Sequence, residues 1–355
     1  MSLLSDSPPS LIGHAPRLPA EAAGTRFRHQ HAAHCESGVT ASLFANRGFP
    51  ISEPMVFGIG SGLFFFHAPL IKVMGFPLTS FRTYPGTIFK KVCRRLGVSF
   101  AKKRYRDPAR GMADLDRLLI GGTPVGLQAN IHWLPYFPPE FRSQFNGHNL
   151  IATGVRDGVY EISDPVLEAG VSCPSEALAR ARFAKGPLAP RGLVYYPLAF
   201  PEGPDLPKAV RAGIRDTCNH SVRVPFPFIG VRGIRYLAGQ VRAWPVRLKD
   251  PRRARLNLAF VLRMQEEVGT GGAGFRFMYA AFLQEAGRMM AHDGLMRASG
   301  MMTNAGDLWR EFGAAAARLI KERDDGLVTY ASLGDQLLGI AAQEEKTFRF
   351  MLATV

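Results

Sequence analysis

Four prolines between 197 and 207 (Pro197, Pro201, Pro204 and Pro207) constrain this chain more than any other feature. Proline lacks a backbone donor and clashes with the preceding helical turn, so neither a helix nor a central strand can run through such a stretch. The texture differs on its two sides. Before it, apolar spacing predicts helices over Cys35 to Asn46, Pro85 to Leu96 and Met112 to Leu119. Strands are expected at 124–128, 149–153, 159–163 and 192–196. After it the pattern is almost wholly helical, with helices expected near 207–220, 231–243, 251–267, 273–293, 305–323 and 328–352. Helices followed by a run of strands predict an α+β domain, not alternating α/β, and a mostly α-helical C-terminal domain follows.

Composition narrows the class. Of 355 residues, 46% are hydrophobic and 21% charged, which excludes wholesale disorder, while 37 glycines and 26 prolines predict many turns. Residues 1–25 read as a flexible tail without a basic, apolar leader. The run from Pro54 to Ile71 holds no Lys, Arg, Asp or Glu. Gly58, Gly60, Ser61, Gly62, His67 and Pro69 interrupt it, so no transmembrane segment is expected. Cys35, Cys93, Cys173 and Cys218 form no CxxC pair and no zinc spacing, and read as reduced thiols of a cytoplasmic protein. The net charge of +15 favours an acidic partner. Ten basic residues stand against Asp107 from Arg82 to Arg110, and six against Asp250 from Arg242 to Arg255. Both clusters also suit a solvated face. No nucleic acid is expected, since aromatic interleaving and a recognisable module are both missing.

Three residues together point to chemistry. Cys35 opens a predicted helix, where the field of the helix N-terminus favours thiolate. His148 starts one strand and Asp164 ends the next, with the turn signal Asp157-Gly158 between them. Two antiparallel strands so joined place base and carboxylate side by side. The set then reads nucleophile, base, orienting acid, with Cys, His and Asp in the papain-type chain order. Singly, each has a plain structural reading: a buried small hydrophobe, a satisfied histidine, a turn former before proline. His29, His31 and His34 precede Cys35, but no second cluster completes a ligand set, so no metal is expected. Gly269, Gly271, Gly272 and Gly274 crowd the start of a helix. They match neither a dinucleotide nor a Walker motif, and close packing is the simpler reading.

The segments His34-Cys-Glu-Ser-Gly-Val-Thr-Ala-Ser-Leu-Phe44 and Ser52-Glu-Pro-Met-Val-Phe-Gly-Ile-Gly60 resemble the N-terminal domain of butirosin biosynthesis protein H. Gly147-His148 and Asp164-Pro165 fit the same domain. Gly269 to Glu285 resembles the helical domain of unknown function that usually follows it, so the resemblance covers about residues 28–350. It implies a papain-like catalytic domain over 26–200 and a helical lid or acceptor domain over 201–355. It implies a cysteine acyltransferase of natural-product or lipid biosynthesis that takes an acyl group from an acyl carrier protein thioester and passes it to a small-molecule amine or other nucleophile. Cys35 would carry the acyl group, His148 would move the proton and Asp164 would orient the imidazole. No cofactor is bound on this reading; the phosphopantetheine thioester belongs to the donor protein. Papain-like enzymes often place a glutamine about six residues before the cysteine as oxyanion donor. Here Gln30 is five before and His29 six before, and the Cys35 backbone N–H can serve in any case. Gly271, Gly272, Arg276 and Tyr279 would approach the donor arm or acyl chain. Lys90, Lys91, Arg94 and Arg95 would dock the acidic carrier. The rival readings are a papain-like peptidase, amidase or thioesterase, and a non-catalytic basic binding protein. The last leaves the Cys, His and Asp order unexplained.

Overall fold

The computed structural model describes residues 27–73, 75–267, 271–323 and 326–355. The expected tail over 1–25 and Gly269 lie outside the described residues. In chain order the elements are α1 (Cys35–Ala45), α2 (Glu53–Ile59), β1 (Leu63–Val73), β2 (Phe76–Arg82), α3 (Ile88–Leu96), β3 (Ser99–Lys103) and α4 (Pro108–Ile120). Then come β4 (Val125–Ala129), β5 (His148–Arg156), β6 (Val159–Ser163), β7 (Val171–Pro174), α5 (Ser175–Arg182) and β8 (Val194–Ala199). Six helices close the chain: α6 (Leu206–Val222), α7 (Gly230–Arg247), α8 (Pro251–Glu266), α9 (Arg276–Met289), α10 (Asp293–Ile320) and α11 (Tyr330–Thr354). The fold is α+β, with antiparallel sheets in the N-terminal part and helices in the C-terminal part.

Local sequence explains most boundaries. Asp157 (φ 50°) and Gly158 (φ 74°) form the two-residue turn between β5 and β6, where Arg156 pairs with Val159. Both positive angles suit the tight hairpin turn that an Asp-Gly pair favours. α4 starts four residues earlier than its apolar spacing suggests, because Asp107 caps Ala109 N–H and Pro108 fits the first turn. The proline stretch is an end and a beginning. Pro197 sits inside β8 beyond the residues that pair with β4, and Pro207 lies in the first turn of α6, capped by Asp205.

The chain forms two compact units. One holds Cys35, the described residues before it, and Ala101–Tyr196; the other holds Glu36–Phe100 with Pro197–Val355. In the first unit the sheet runs β8-β4-β5-β6-β7, and the order is completed by β3 beside β8. One face carries Val125, Leu127, Ala129, Leu150, Ala152, Tyr160 and Ile162. It packs on Leu115 and Leu119 of α4 and on Leu178 and Ala181 of α5.

This grouping differs from the boundary expected near 200. Compactness joins the segment from Glu36 to Phe100 to the C-terminal helices, and packing within that unit gives the reason. A Cβ on Gly58 of α2 would lie 2.1 Å from the Phe282 ring of α9, and one on Gly213 of α6 would lie 2.5 Å from Gly58 O. Backbone contact that close leaves no room for a side chain. The β1–β2 hairpin adds Phe65 and Phe81, whose rings sit 5.9 and 5.1 Å from that of Trp309. Trp309 Nε1 donates to Glu344 at 2.7 Å, and Arg276 donates twice to the same carboxylate at 2.8 and 3.0 Å. All three side chains are buried.

A buried charge keeps its place only while its partner stays. Glu344→Leu strands Arg276 and the Trp309 N–H, and should cost about 3–5 kcal/mol in urea unfolding followed by circular dichroism. The double variant Arg276→Met with Glu344→Leu should recover most of that loss. Equal stability of the single variant and the parent would show that the triad contributes nothing.

Candidate active site

Cys35 is the first residue of α1, and every residue from His34 to Phe44 is buried. A helix buried all round needs small or self-satisfied side chains. Thr40 accordingly returns its hydroxyl to Glu36 O at 2.8 Å. The segment leading to Cys35 is bonded to the end of β6. Ala32 N–H donates to Pro165 O at 2.7 Å, while the two His29 ring nitrogens meet Ser163 Oγ at 2.7 Å and Leu167 O at 2.9 Å. A carbonyl only accepts, so Nε2 of His29 is the donor to Leu167 O.

His148 and Asp164 come together through strand register. Ile151 pairs with Ser163, so Asp164 falls opposite Leu150 and diagonal to His148 on the same face. His148 Nε2 donates to Asp164 Oδ2 at 2.7 Å. The other side of the imidazole hydrogen-bonds Cys35. Burial alone disfavours the charged ring, but the Asp164 carboxylate and the Cys35 sulfur outweigh it and hold the His148 pKa at about 10. The raised value favours the charged form of a ring that faces the sulfur. A thiolate paired with that cation is a nucleophile with its proton already transferred.

Sequence reasoning missed the groups around this line. Tyr136 donates its hydroxyl to Asp164 Oδ2 at 2.8 Å, and burial together with the neighbouring carboxylate keeps its phenol neutral well above the ordinary range. Phe137 sets its ring edge-on to His148, centroids 5.6 Å apart. Both stand in Leu134-Pro-Tyr-Phe-Pro-Pro139, a proline-stiffened aromatic run whose composition was the available signal. Gln128, Asn130 and Asn146 bond one another and tie down the ends of this loop. Outside it lies a depression of about 390 Å³ lined by His132, Trp133, Pro135, Pro139 and Arg142. Asn149, beside the base, donates to Cys35 Sγ at 3.8 Å.

Other expected site residues are placed differently. His29 has both ring nitrogens engaged by the β6 end, which makes it an anchor, not an oxyanion donor. Gln30 is half-buried on the same segment. Arg276 and Tyr279 are core residues of the helical unit, 1% and 0% exposed, instead of facing a substrate. The reason is the Glu344 carboxylate, which draws Arg276 inward. Gly271 and Gly272 adopt positive φ of 63° and 86° just before the 3-10 turn Ala273–Phe275, as tight chain reversal requires. Of the four basic residues on α3, Lys90 and Arg94 are exposed, whereas Lys91 and Arg95 bind Asp216 at 2.8 and 2.7 Å. In the second basic cluster Arg242 pairs with Asp335 and Arg255 with Glu322. Cys93, Cys173 and Cys218 are fully buried and form no disulfide; burial pushes Cys173 up to about 12 and raises Cys218 as well. No described helix is long and apolar enough to cross a membrane.

Two family descriptions match the chain. Butirosin biosynthesis protein H, N-terminal, covers residues 34–165, and a domain of unknown function, DUF4872, covers 176–351. A crystal structure described as a C39-like peptidase from Bacillus anthracis is similar over 49% of this chain and 96% of its own, at 13% identity and a TM-score of 0.34. No curated protein matches.

The folded pKa of His148 lies above its ordinary 6.5. The stability that the charged ring contributes is complete below about 6.5 and is lost as pH rises through about 10. Reactivity that depends on the ion pair should fall on the same alkaline limb. Asp164→Asn removes the carboxylate that raises the ring, so the limb should move down by about one pH unit or more. The check is the pH profile of Cys35 alkylation by iodoacetate, an anion that the charged ring attracts, in parent and variant. An unmoved limb would detach Asp164 from the base.

Proposed function

We propose that this chain, which belongs to the butirosin biosynthesis protein H-like family, is a cysteine acyltransferase. Its donor is an acyl carrier protein thioester and its acceptor a small-molecule amine. The observation that carries the reading is the buried hydrogen-bonded line Cys35–His148–Asp164. The family match supports a papain-like cysteine enzyme domain.

The chemistry follows from that line. The Cys35 thiolate attacks the thioester carbonyl, and the tetrahedral adduct collapses by breaking the bond to the pantetheine sulfur. The departing sulfur takes the proton from His148, leaving Cys35 acylated. Exchange of one thioester for another is close to isoenergetic, so this step needs little driving force. The amine then attacks the acyl carbon, His148 takes its proton, and the Cys35 sulfur leaves as thiolate. The amide formed is the downhill product. Asp164 holds the ring through both proton transfers, and Tyr136 holds Asp164. Cys35 is 9% exposed, which disfavours hydrolysis of the acyl-enzyme. A peptidase or thioesterase would use the same residues and is distinguished by its product, free acid instead of amide.

Incubation with a panel of acyl carrier thioesters, followed by intact-protein mass spectrometry, should show one acyl increment on the parent and none on Cys35→Ala. Acylation of the alanine variant would place the nucleophile elsewhere. A second expectation concerns the carrier. Lys90→Glu with Arg94→Glu reverses the two exposed charges of α3 and spares the Asp216 pairs. It should raise KM for carrier-bound donor with kcat nearly unchanged, and leave a small thioester mimic unaffected. Equal losses with carrier and mimic would make the patch structural.

A further inference from the structure

The acyltransferase reading leaves Asn149 without a role. It follows the base directly, is 1% exposed, and is turned by strand alternation to the face opposite His148. Its amide has one orientation. Nδ2 lies 3.1 Å from Gly147 O, and a carbonyl can only accept, so that edge is the NH₂ group. Oδ1 in turn accepts the Tyr195 hydroxyl at 2.8 Å. The second N–H of Nδ2 then points to Cys35 Sγ at 3.8 Å, a reach that suits the larger sulfur atom. Buried amide protons find acceptors, and this one has found the reacting atom.

The reach of Tyr195 depends on a missing side chain. Tyr195 lies on β8 and Asn149 on β5, with β4 between them. Gly126 of β4 pairs with Tyr195, and a Cβ there would stand 2.5 Å from the tyrosine ring. Glycine usually weakens a strand; here it opens the path by which the phenol crosses β4.

We infer that Asn149 is a second catalytic donor, whose amide N–H stabilises the Cys35 thiolate, and that Tyr195, crossing over Gly126, is the residue that positions it. Cys35 thus meets the His148 cation and a neutral donor from consecutive positions of β5. A hydrogen bond to a charged atom is stronger than one to a neutral thiol, so the amide favours the ionised form. Asp164 lies behind His148 and acts on the sulfur only through the ring.

The inference rests on Cys35 as the nucleophile, and the test separates the two. The rate of iodoacetamide modification is measured against pH for the parent, Asn149→Ala, Asn149→Asp and Tyr195→Phe, with the modified residue located by mass spectrometry. In the parent, Cys35 should be modified first, with an acid-side midpoint that marks its ionisation. Both Asn149 variants should move that midpoint upward by about one pH unit or more, since a hydrogen bond to a charged group is lost. Asn149→Asp should move it further, because a carboxylate repels the thiolate. Tyr195→Phe keeps the ring and its packing, and should move it in the same direction by less. A purely structural amide would lower thermal stability and leave the midpoint in place. An unmoved midpoint in the Asn149 variants overturns the inference; if either fails to fold, an unmoved midpoint in Tyr195→Phe does so. Parent modification at another cysteine overturns the reading of Cys35 itself.

Discussion

Asp164 Oδ2 accepts two hydrogen bonds at once, from the His148 ring and from the Tyr136 hydroxyl, while Oδ1 takes the Val166 N–H at 3.3 Å. The carboxylate is fully buried, so these donors replace the water it has lost. The carboxylate favours the charged form of the ring, and the ring in turn offsets the burial of the carboxylate. The path to the nucleophile is referenced to the same residue. Ser163, Pro165 and Leu167, which flank Asp164, hold His29 and Ala32 a few residues before Cys35. Cys35 and His148 are thus both located against Asp164.

The residue after the nucleophile serves another purpose. Glu36 is fully buried; it pairs with Arg82 and accepts the Ile88 N–H at 2.8 Å, which caps the start of α3. A carboxylate at a helix N-terminus completes orphan donors and answers the helix field. Adjacent residues therefore divide their duties: Cys35 holds the thiol beside His148, and Glu36 anchors the segment that continues into the helical unit. This is why an acid can stand next to the Cys35 thiol in sequence while its charge is satisfied by arginine and backbone.

How much of this was legible varied with the range of the interaction. The Cys35 helix, β6 and the Asp157-Gly158 turn were legible because neighbouring residues determine them. The pairing of His148 with Asp164 was legible because a two-residue hairpin turn fixes register. The β1–β2 hairpin was not, since the stretch 63–71 is half of an apolar run without strand alternation, and its place depends on Phe65 and Phe81 meeting Trp309. Arg276 looked like a ligand because its partner Glu344 lies 68 residues away. Tyr195 is 46 residues from Asn149, and no spacing rule links them. Sequence pattern shows which residues are chemically able; only packing shows which of them are already committed.

The three tryptophans are shared unevenly between the two units. Trp244 and Trp309 are buried among the helices, whereas Trp133 lines the depression beside the loop of Tyr136 and Phe137 and is 37% exposed, with Arg180 over its ring. Intrinsic fluorescence consequently has two separable sources. Quenching by aqueous iodide acts on Trp133, and the light that remains comes from the buried helical pair. The protein carries its own optical label on the loop that steadies Asp164, and a second on the helical unit, without any added dye.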